Sequence, residues 1–89
     1  MVSSMHSHRY QVFREMLVRA RESAGLTQTD VAQRLSKPQS YVSKYERGER
    51  RLDVTEFVAL ADILEIDLVT FFETYRAATG VVTGSRGVS

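Results

Sequence analysis

The segment that decides the fold is Leu26–Gly48, "LTQTDVAQRLSKPQSYVSKYERG". Thr27 followed three residues later by Asp30 is typical of a capped helix start. The break "SKP" at residues 36–38 ends that helix, because proline lacks an N–H and disfavours the helical conformation in the residue before it. A second short helix is expected from about Pro38 to Arg47. The segment therefore predicts two short helices joined by a tight turn.

The sequence on either side of this segment predicts three more helices. One precedes it, with Ser7 as its N-cap and Gly25 as its stop, and two follow it, capped by Asp53 and Asp67. Apolar residues recur in these three helices at three- and four-residue spacing: Phe13, Leu17, Ala20 and Ala24, then Phe57, Leu60, Ala61 and Leu64, then Leu68, Phe71, Phe72 and Tyr75. No alternating strand pattern competes, so we predict an all-α fold of five helices.

The length of the chain, 89 residues, allows one domain at most. We expect this domain to span residues 9–76. Residues 1–8 are expected to form a flexible N-terminal segment. Residues 77–89 contain three glycines and no helical periodicity, so we expect a flexible tail there.

The composition argues against several classes of function. Cysteine is absent, so neither disulfides nor thiolate metal sites are expected. His6 and His8 lack a third ligand nearby, and we expect no metal and no cofactor. The acidic residues of 52–75 are expected to be helix caps and solvated faces, so we do not expect an enzyme. Because neither a membrane span nor a secretory signal is visible, we expect a cytoplasmic protein without a membrane partner.

The charges are divided unevenly although the net charge is only +1. Residues 27–51 carry six basic and three acidic side chains, whereas residues 52–75 carry six acidic and no basic ones. This division is typical of a protein with one face toward an anionic polymer and another toward water or a partner. The alternative is an ordinary solvated surface of mixed charge.

The second short helix has the composition of a helix that reads the DNA major groove. Its inner side is predicted to carry Val42 and Tyr45. The opposite side carries side chains that donate or accept hydrogen bonds: Gln39, Ser40, Ser43 and Lys44. Glutamine can bond adenine through two hydrogen bonds, serine is adaptable and lysine reaches guanine acceptors. Two helices with a short turn, the second one polar outside, are therefore a helix-turn-helix candidate that contacts double-stranded DNA.

Other residues of the same region are candidates for contacts to DNA phosphates. Gln28 opens the first short helix, where free N–H groups and the positive end of the helix dipole favour an anion. Arg47, Arg50 and Arg51 extend the positive charge beyond the second helix. The alternative for Arg50 and Arg51 is that they are simply solvated. Tyr41 either lies along a sugar or phosphate or packs over the turn.

At these residues the chain resembles a known family. "GLTQTDVAQRL", the turn and "QSYVSKYERGER" look like the phage-repressor and Cro type of helix-turn-helix, also called the xenobiotic-response-element (XRE) family. The likeness continues through "FVALADILEIDLVTFF" and covers roughly residues 13–72. It implies a compact five-helix lambda-repressor-like domain, with the helix-turn-helix at helices 2 and 3.

The resemblance also implies roles for individual residues. The glutamine that matches Gln28 clamps a backbone phosphate, and the positions of Gln39, Ser40, Ser43 and Lys44 make the base and groove contacts. An arginine and a glutamate matching Arg21 and Glu46 form a largely internal salt bridge. The sequence departs from the family at two positions: Ser36 stands where a glycine is usual, and Pro38 stands where a polar cap is usual. The second departure leaves open whether Gln39 or Ser40 leads the base contacts.

The aromatic residues of the fifth helix, Phe71, Phe72 and Tyr75, exceed what one small helix needs for a core. They are candidates for a homodimer surface, the alternative being ordinary core packing. The resulting interpretation is a transcriptional repressor that binds a two-half-site operator as a homodimer. The alternative interpretation is a protein-interaction module with a protein partner, such as the antitoxin of a toxin–antitoxin pair.

Overall fold

The computed structural model describes residues 7–80, and in that part of the chain it contains five α-helices and no strand. The helices are α1 (His8–Ser23), α2 (Gln28–Leu35), α3 (Gln39–Glu46), α4 (Val54–Leu64) and α5 (Leu68–Thr79). The predicted all-α fold is confirmed. The predicted flexibility of residues 1–6 and 81–89, and the predicted lack of a metal site at His6, lie outside the described residues.

Four of the five helix starts are closed by a side chain that accepts a backbone N–H. These caps are Ser7 for α1, Thr27 for α2, Asp53 for α4 and Asp67 for α5. In α2 and α4 the side chain of the third helical residue also accepts the N–H of the cap residue, which completes a capping box. The predicted caps are confirmed. They could be predicted because each depends on residues only three positions apart.

The start of α3 differs from the prediction by one residue. Pro38 has extended backbone angles and is the N-cap residue, so the helix begins at Gln39. Pro38 has no side-chain oxygen to accept an N–H, and no side-chain cap closes this helix. The residue that opens the helix is therefore Gln39, which also carries the first outward-facing amide.

The core is built from one or two large apolar residues of each helix. The side chains that are almost completely buried are Leu17, Val31, Val42, Tyr45 and Leu60. α5 closes the core against α1, and the ring of Phe71 lies 6.0 Å from that of Phe13. Phe71 is only 7% exposed, so core packing, the alternative stated for the aromatic residues of this helix, describes its position. Its neighbour Phe72 is 49% exposed.

The end of α5 lies three residues beyond the predicted domain boundary at residue 76. Ala77 and Ala78 continue the helix, and Gly80 ends it with a left-handed backbone conformation. Alanine has the highest intrinsic helix propensity, which explains why the helix continues without a strong apolar pattern.

The turn between α2 and α3 depends on a left-handed backbone at Ser36, whose φ is +57°. This conformation brings the Cβ of an ordinary residue close to the following carbonyl oxygen, whereas glycine has no Cβ. Ser36→Gly is therefore expected to raise the free energy of unfolding by about 1 kcal/mol, as measured by urea denaturation.

The matched control for this prediction is Ala59→Gly, which places the same residue in the middle of α4 on its exposed side. There glycine is expected to lower stability by about 1 kcal/mol. A loss of stability in both variants would contradict the left-handed turn at Ser36.

Candidate nucleic-acid interface

The outer face of α3 presents the four side chains predicted to contact bases. Gln39, Ser40 and Lys44 are exposed and Ser43 is half-buried. On the opposite side, Val42 and Tyr45 are almost completely buried. Packing of the inner face therefore fixes the rotation of the helix and, with it, the direction of the outer face.

A chain of side-chain hydrogen bonds joins this face to the interior of the domain. Gln39 Nε2 donates to Gln28 Oε1 at 2.7 Å. Gln28 Nε2 in turn donates to Glu46 Oε1 at 2.7 Å. The Glu46 carboxylate also accepts from Arg21, with Nε to Oε2 at 2.7 Å and Nη2 to Oε1 at 3.2 Å. The first residue of α2 and the first residue of α3 are thus tied to one ion pair.

The chemistry of Glu46 determines which way each amide in this series of hydrogen bonds points. An ionised carboxylate can only accept hydrogen bonds, so the amide of Gln28 must turn its NH₂ group toward it. The carbonyl oxygen of Gln28 then faces Gln39, which must also present its NH₂ group. Gln39 is left with one N–H and its carbonyl oxygen for other partners. A donor beside an acceptor is the pattern that matches the N7 and N6 edge of adenine.

The ion pair that anchors this chain is largely internal. The side chains of Arg21 and Glu46 are only 14% and 6% exposed. The hydrogen bond to Glu46 raises the pKa of Arg21 above its ordinary value, although burial acts in the opposite direction. Arg21 also donates to the carbonyl oxygen of Leu26 at 2.9 Å, which joins α1 to the start of the helix-turn-helix.

Arg14 was not predicted as a functional or structural residue, yet it supports the end of α3. Its Nη1 donates to the backbone carbonyl oxygen of Glu46 at 2.6 Å. A cation at this place complements the negative end of the helix dipole. Gly48 allows this approach, because a Cβ there would lie 3.0 Å from Arg14 Nε. The spacing could have indicated this role, because Arg14 and Arg21 are seven residues apart and share one face of α1.

The predicted phosphate contact Arg47 follows α3 directly and is held by neighbours on the surface. Its guanidinium pairs with Glu49, with Nε to Oε2 at 2.9 Å, and also donates to Ser43 Oγ. The hydrogen bond to Glu49 raises the pKa of Arg47. Both partners are more than half exposed, so this pair contributes little to stability.

Arg50 is tied to α4 more firmly than the sequence indicated. Its Nη2 lies 2.7 Å from Glu56 Oε2, and Nη1 donates to Glu56 Oε1 at 3.1 Å. The same guanidinium lies 4.7 Å from the ring centroid of Tyr41. These contacts hold the loop that follows α3 against the start of α4. A structural role of Arg50 thus accompanies any contact to a phosphate.

The remaining two predicted phosphate contacts, Tyr41 and Arg51, each take part in a contact between a cation and an aromatic ring. Tyr41 is half-buried, with Lys37 Nζ 5.3 Å from its ring centroid, and its burial raises the pKa of its phenol. Arg51 is exposed and its guanidinium lies 4.1 Å from the ring centroid of Tyr10. Through its contact with Lys37, Tyr41 packs over the turn, which is the alternative stated for it above.

The pairing of Glu56 predicts a pH dependence of stability. Hydrogen bonds from Arg50 and from the backbone N–H of Asp53 lower the pKa of Glu56 to about 2. A lowered pKa gives stability that is present above the ordinary pKa of 4.5 and is lost as the pH falls toward 2. We expect Glu56→Gln to cost about 1–2 kcal/mol at neutral pH, allowing for solvent screening.

The measurement for this prediction is urea denaturation of both proteins over a range of pH. Glutamine keeps the capping-box geometry and removes only the charge. The difference between wild type and Glu56→Gln is therefore expected to shrink steadily below the ordinary carboxyl pKa. A difference that stays constant down to about pH 2 would contradict the lowered pKa.

Within residues 7–80, no group of three or more His, Cys, Asp or Glu side chains is arranged to hold a metal ion. None of the helices described is both long enough and apolar enough to cross a membrane. The groups assembled around α3 are instead hydrogen-bonding side chains and cations, which suit the base edges and phosphates of DNA.

Comparison with known proteins agrees with this geometry. Residues 17–71 match the model of a family described as "Helix-turn-helix". The fold is similar to the solved structure of an "XRE-family like protein" from Pseudomonas syringae pv. tomato str. DC3000, with a TM-score of 0.76 and 42% sequence identity. This similarity covers 85% of the present chain and 93% of that protein. No curated protein matches the sequence significantly.

Proposed function

The chain belongs to the XRE family of helix-turn-helix proteins, which are DNA-binding transcriptional regulators, and we propose that it represses transcription by occupying an operator as a homodimer. The observation that carries this proposal is the outer face of α3. Its leading amide, Gln39, is oriented by the hydrogen-bond chain to the buried Glu46. A side chain held in one direction loses less entropy when it binds a base than a freely rotating one does.

The contacts proposed for DNA fall into two groups. Base edges are contacted by Gln39, Ser40, Ser43 and Lys44. Phosphates are contacted at the start of α2 by Gln28 and around the end of α3 by Tyr41, Arg47, Arg50 and Arg51. Arg50 is the least independent member of the second group, because it also pairs with Glu56. Substituting it would change the loop as well as the charge.

The proposed dimer surface is an apolar groove between α4 and α5. A cavity of about 330 Å³ there is lined mainly by apolar side chains, among them Val54, Val58, Leu68 and Phe72, all of which are exposed. Tyr75 is half-buried further along α5. Exposed apolar residues grouped around one groove are typical of an interaction surface. A symmetric dimer would place two α3 helices about 34 Å apart, in successive major grooves.

The dimer proposal predicts that a charge in this groove separates the two copies. Val58→Lys is expected to convert the dimer to monomers in analytical ultracentrifugation and to weaken operator binding at least about tenfold, because avidity is lost. The fold should persist, since Val58 is 40% exposed. The matched control is Val69→Lys on α5, which is 68% exposed and does not line the groove. Equal behaviour of the two variants would refute the groove as the interface.

The test of the proposed function is titration of the protein against the DNA upstream of its own gene, beside random DNA, at two salt concentrations. A footprint with two half-sites about one helical turn apart, and affinity about 10³-fold or more above that for random DNA, is expected. Equal weak binding to both DNAs, abolished by salt, would refute operator recognition. A protein partner, as in an antitoxin, would then be sought in a nuclease-treated pull-down.

A further inference from the structure

A second cavity lies on the side of α1, between its first turns, α5 and the loop that follows α3. It has a volume of about 310 Å³. Five aromatic residues form most of its wall: Tyr10, Phe13, Phe71, Phe72 and Tyr75. Two arginines, Arg9 and Arg51, complete the lining together with Ser7. None of these lining residues is acidic.

Four of the rings, those of Tyr10, Phe13, Phe71 and Phe72, form a connected cluster. The centroids of Tyr10 and Phe13 are 5.5 Å apart, and Phe71 lies 6.0 Å from both Phe13 and Phe72. Edge-to-face and tilted contacts at such distances are favourable for aromatic rings, and a ligand ring can add to the cluster in the same way. The wall of the cavity therefore selects a planar apolar body.

The charges at the cavity select a ligand of the opposite sign. Arginine pairs with a carboxylate through charge-assisted hydrogen bonds, which are stronger than neutral ones. The guanidinium of Arg51 lies 4.1 Å from the centroid of the Tyr10 ring, so a cation already adjoins the aromatic wall. Ser7, the cap of α1, adds the positive end of a 16-residue helix on the same side.

We propose that this cavity binds a small aromatic carboxylate, with the ring against the aromatic wall and the carboxylate at Arg9 and Arg51. A volume near 300 Å³ is at the lower end for ligand pockets and suits a single ring with a short acidic substituent. The site lies apart from the outer face of α3 and shares no residue with the base-contacting set. It gives the domain a ligand site in addition to its DNA interface.

The position of Arg51 links the cavity to DNA binding, and this part of the inference rests on the proposed function. Arg51 belongs to the loop after α3, where phosphate contacts are proposed. The same loop is joined to α1, because the N–H of Leu52 donates to the Tyr10 hydroxyl at 3.1 Å. A carboxylate that engages Arg51 neutralises a charge used for phosphate. The ligand therefore acts as an inducer that weakens binding to DNA.

The site is tested without DNA by titrating benzoate into the protein and recording backbone NMR spectra. Saturable shifts are expected around Tyr10, Phe72 and Tyr75. Arg9→Gln and Arg51→Gln are each expected to weaken benzoate binding at least about tenfold, whereas Arg19→Gln, an exposed arginine of α1 outside this cavity, leaves it unchanged. Benzyl alcohol, which keeps the ring and lacks the charge, is expected to bind at least about tenfold more weakly.

Three results would overturn the site: absence of saturation at millimolar benzoate, equal binding of benzyl alcohol, or equal loss in the Arg19→Gln control. A second measurement addresses the inducer role, in which the operator titration is repeated with saturating benzoate. A weaker operator complex in wild type, and no change in Arg9→Gln, is expected. Benzoate binding with unchanged operator affinity would refute the inducer role, and failure of operator binding without benzoate would refute the proposed function instead.

Discussion

Glu46→Ala is expected to lower the free energy of unfolding by about 3–5 kcal/mol, the largest loss predicted for a single substitution in this domain. The variant removes the carboxylate that accepts two hydrogen bonds from Arg21 and one from Gln28. The Arg21 side chain, which is only 14% exposed in the wild type, then lacks its counter-ion. An unpaired charge held away from water is costly because it loses hydration without gaining a partner.

Urea denaturation measures this loss, and the protein offers a matched control three residues along the chain. Glu49 also pairs with an arginine, Arg47, at 2.9 Å, but both side chains are more than half exposed. Glu49→Ala is therefore expected to change stability by less than about 1 kcal/mol. Both variants remove a carboxylate that pairs with an arginine, and they differ mainly in how deeply that ion pair is buried.

A further variant separates the charge from the packing. When both partners are replaced together, as in Arg21→Met with Glu46→Leu, no unpaired charge remains. Such apolar replacements of a buried ion pair are often neutral or stabilising, so much of the loss should be recovered. If Glu46→Ala costs no more than Glu49→Ala, the pair at Arg21 is not the anchor described above.

The features that the sequence predicted correctly are those set by neighbouring residues. Thr27 with Asp30, and Asp53 with Glu56, form capping boxes because each pair is only three residues apart. The break between α2 and α3 follows from Pro38, which disfavours the helical conformation in the residue before it. Such local signals are present in the sequence itself and do not depend on how the helices pack.

The features that escaped prediction depend on packing between distant parts of the chain. The bond from Arg14 to the carbonyl of Glu46 spans 32 residues, and that from Leu52 to Tyr10 spans 42. Phe71 and Phe72 have the same side chain and adjacent positions, yet one is buried and the other exposed. The packing of α5 against α1 and α4 decides between them, and the periodicity of one helix does not specify that packing.

The candidate DNA interface lies between these two cases. The outward set on α3 could be predicted, because the helical period places Gln39 and Ser43 opposite Val42 and Tyr45. The chain from Gln39 through Gln28 to Glu46 could not, since residue spacing does not specify a side-chain hydrogen bond. This chain also bears on the alternative left open by Pro38: α3 begins at Gln39, and it is Gln39 whose amide is fixed.

Gln39→Ala is expected to weaken the operator complex by about 1–3 kcal/mol and to leave binding to random DNA unchanged. Its remaining N–H and carbonyl oxygen are proposed to bond one adenine, so the loss should be confined to one base pair in each half-site. On operators changed at that base pair, wild type and Gln39→Ala should bind equally. The measurement is a titration of operator variants at constant salt, because phosphate contacts depend on salt.

Two further variants make the result specific to the proposed role of Gln39. Gln33→Ala removes an exposed amide of α2 that takes no part in the hydrogen bonds from Gln39 to Glu46. It is expected to change neither the operator complex nor the complex with random DNA. Gln28→Ala removes both the proposed phosphate contact and the partner that orients Gln39. It should weaken binding to random DNA as well as to the operator, and reduce the discrimination between them. Equal losses on operator and random DNA for Gln39→Ala would mean that its amide contributes to affinity without reading a base.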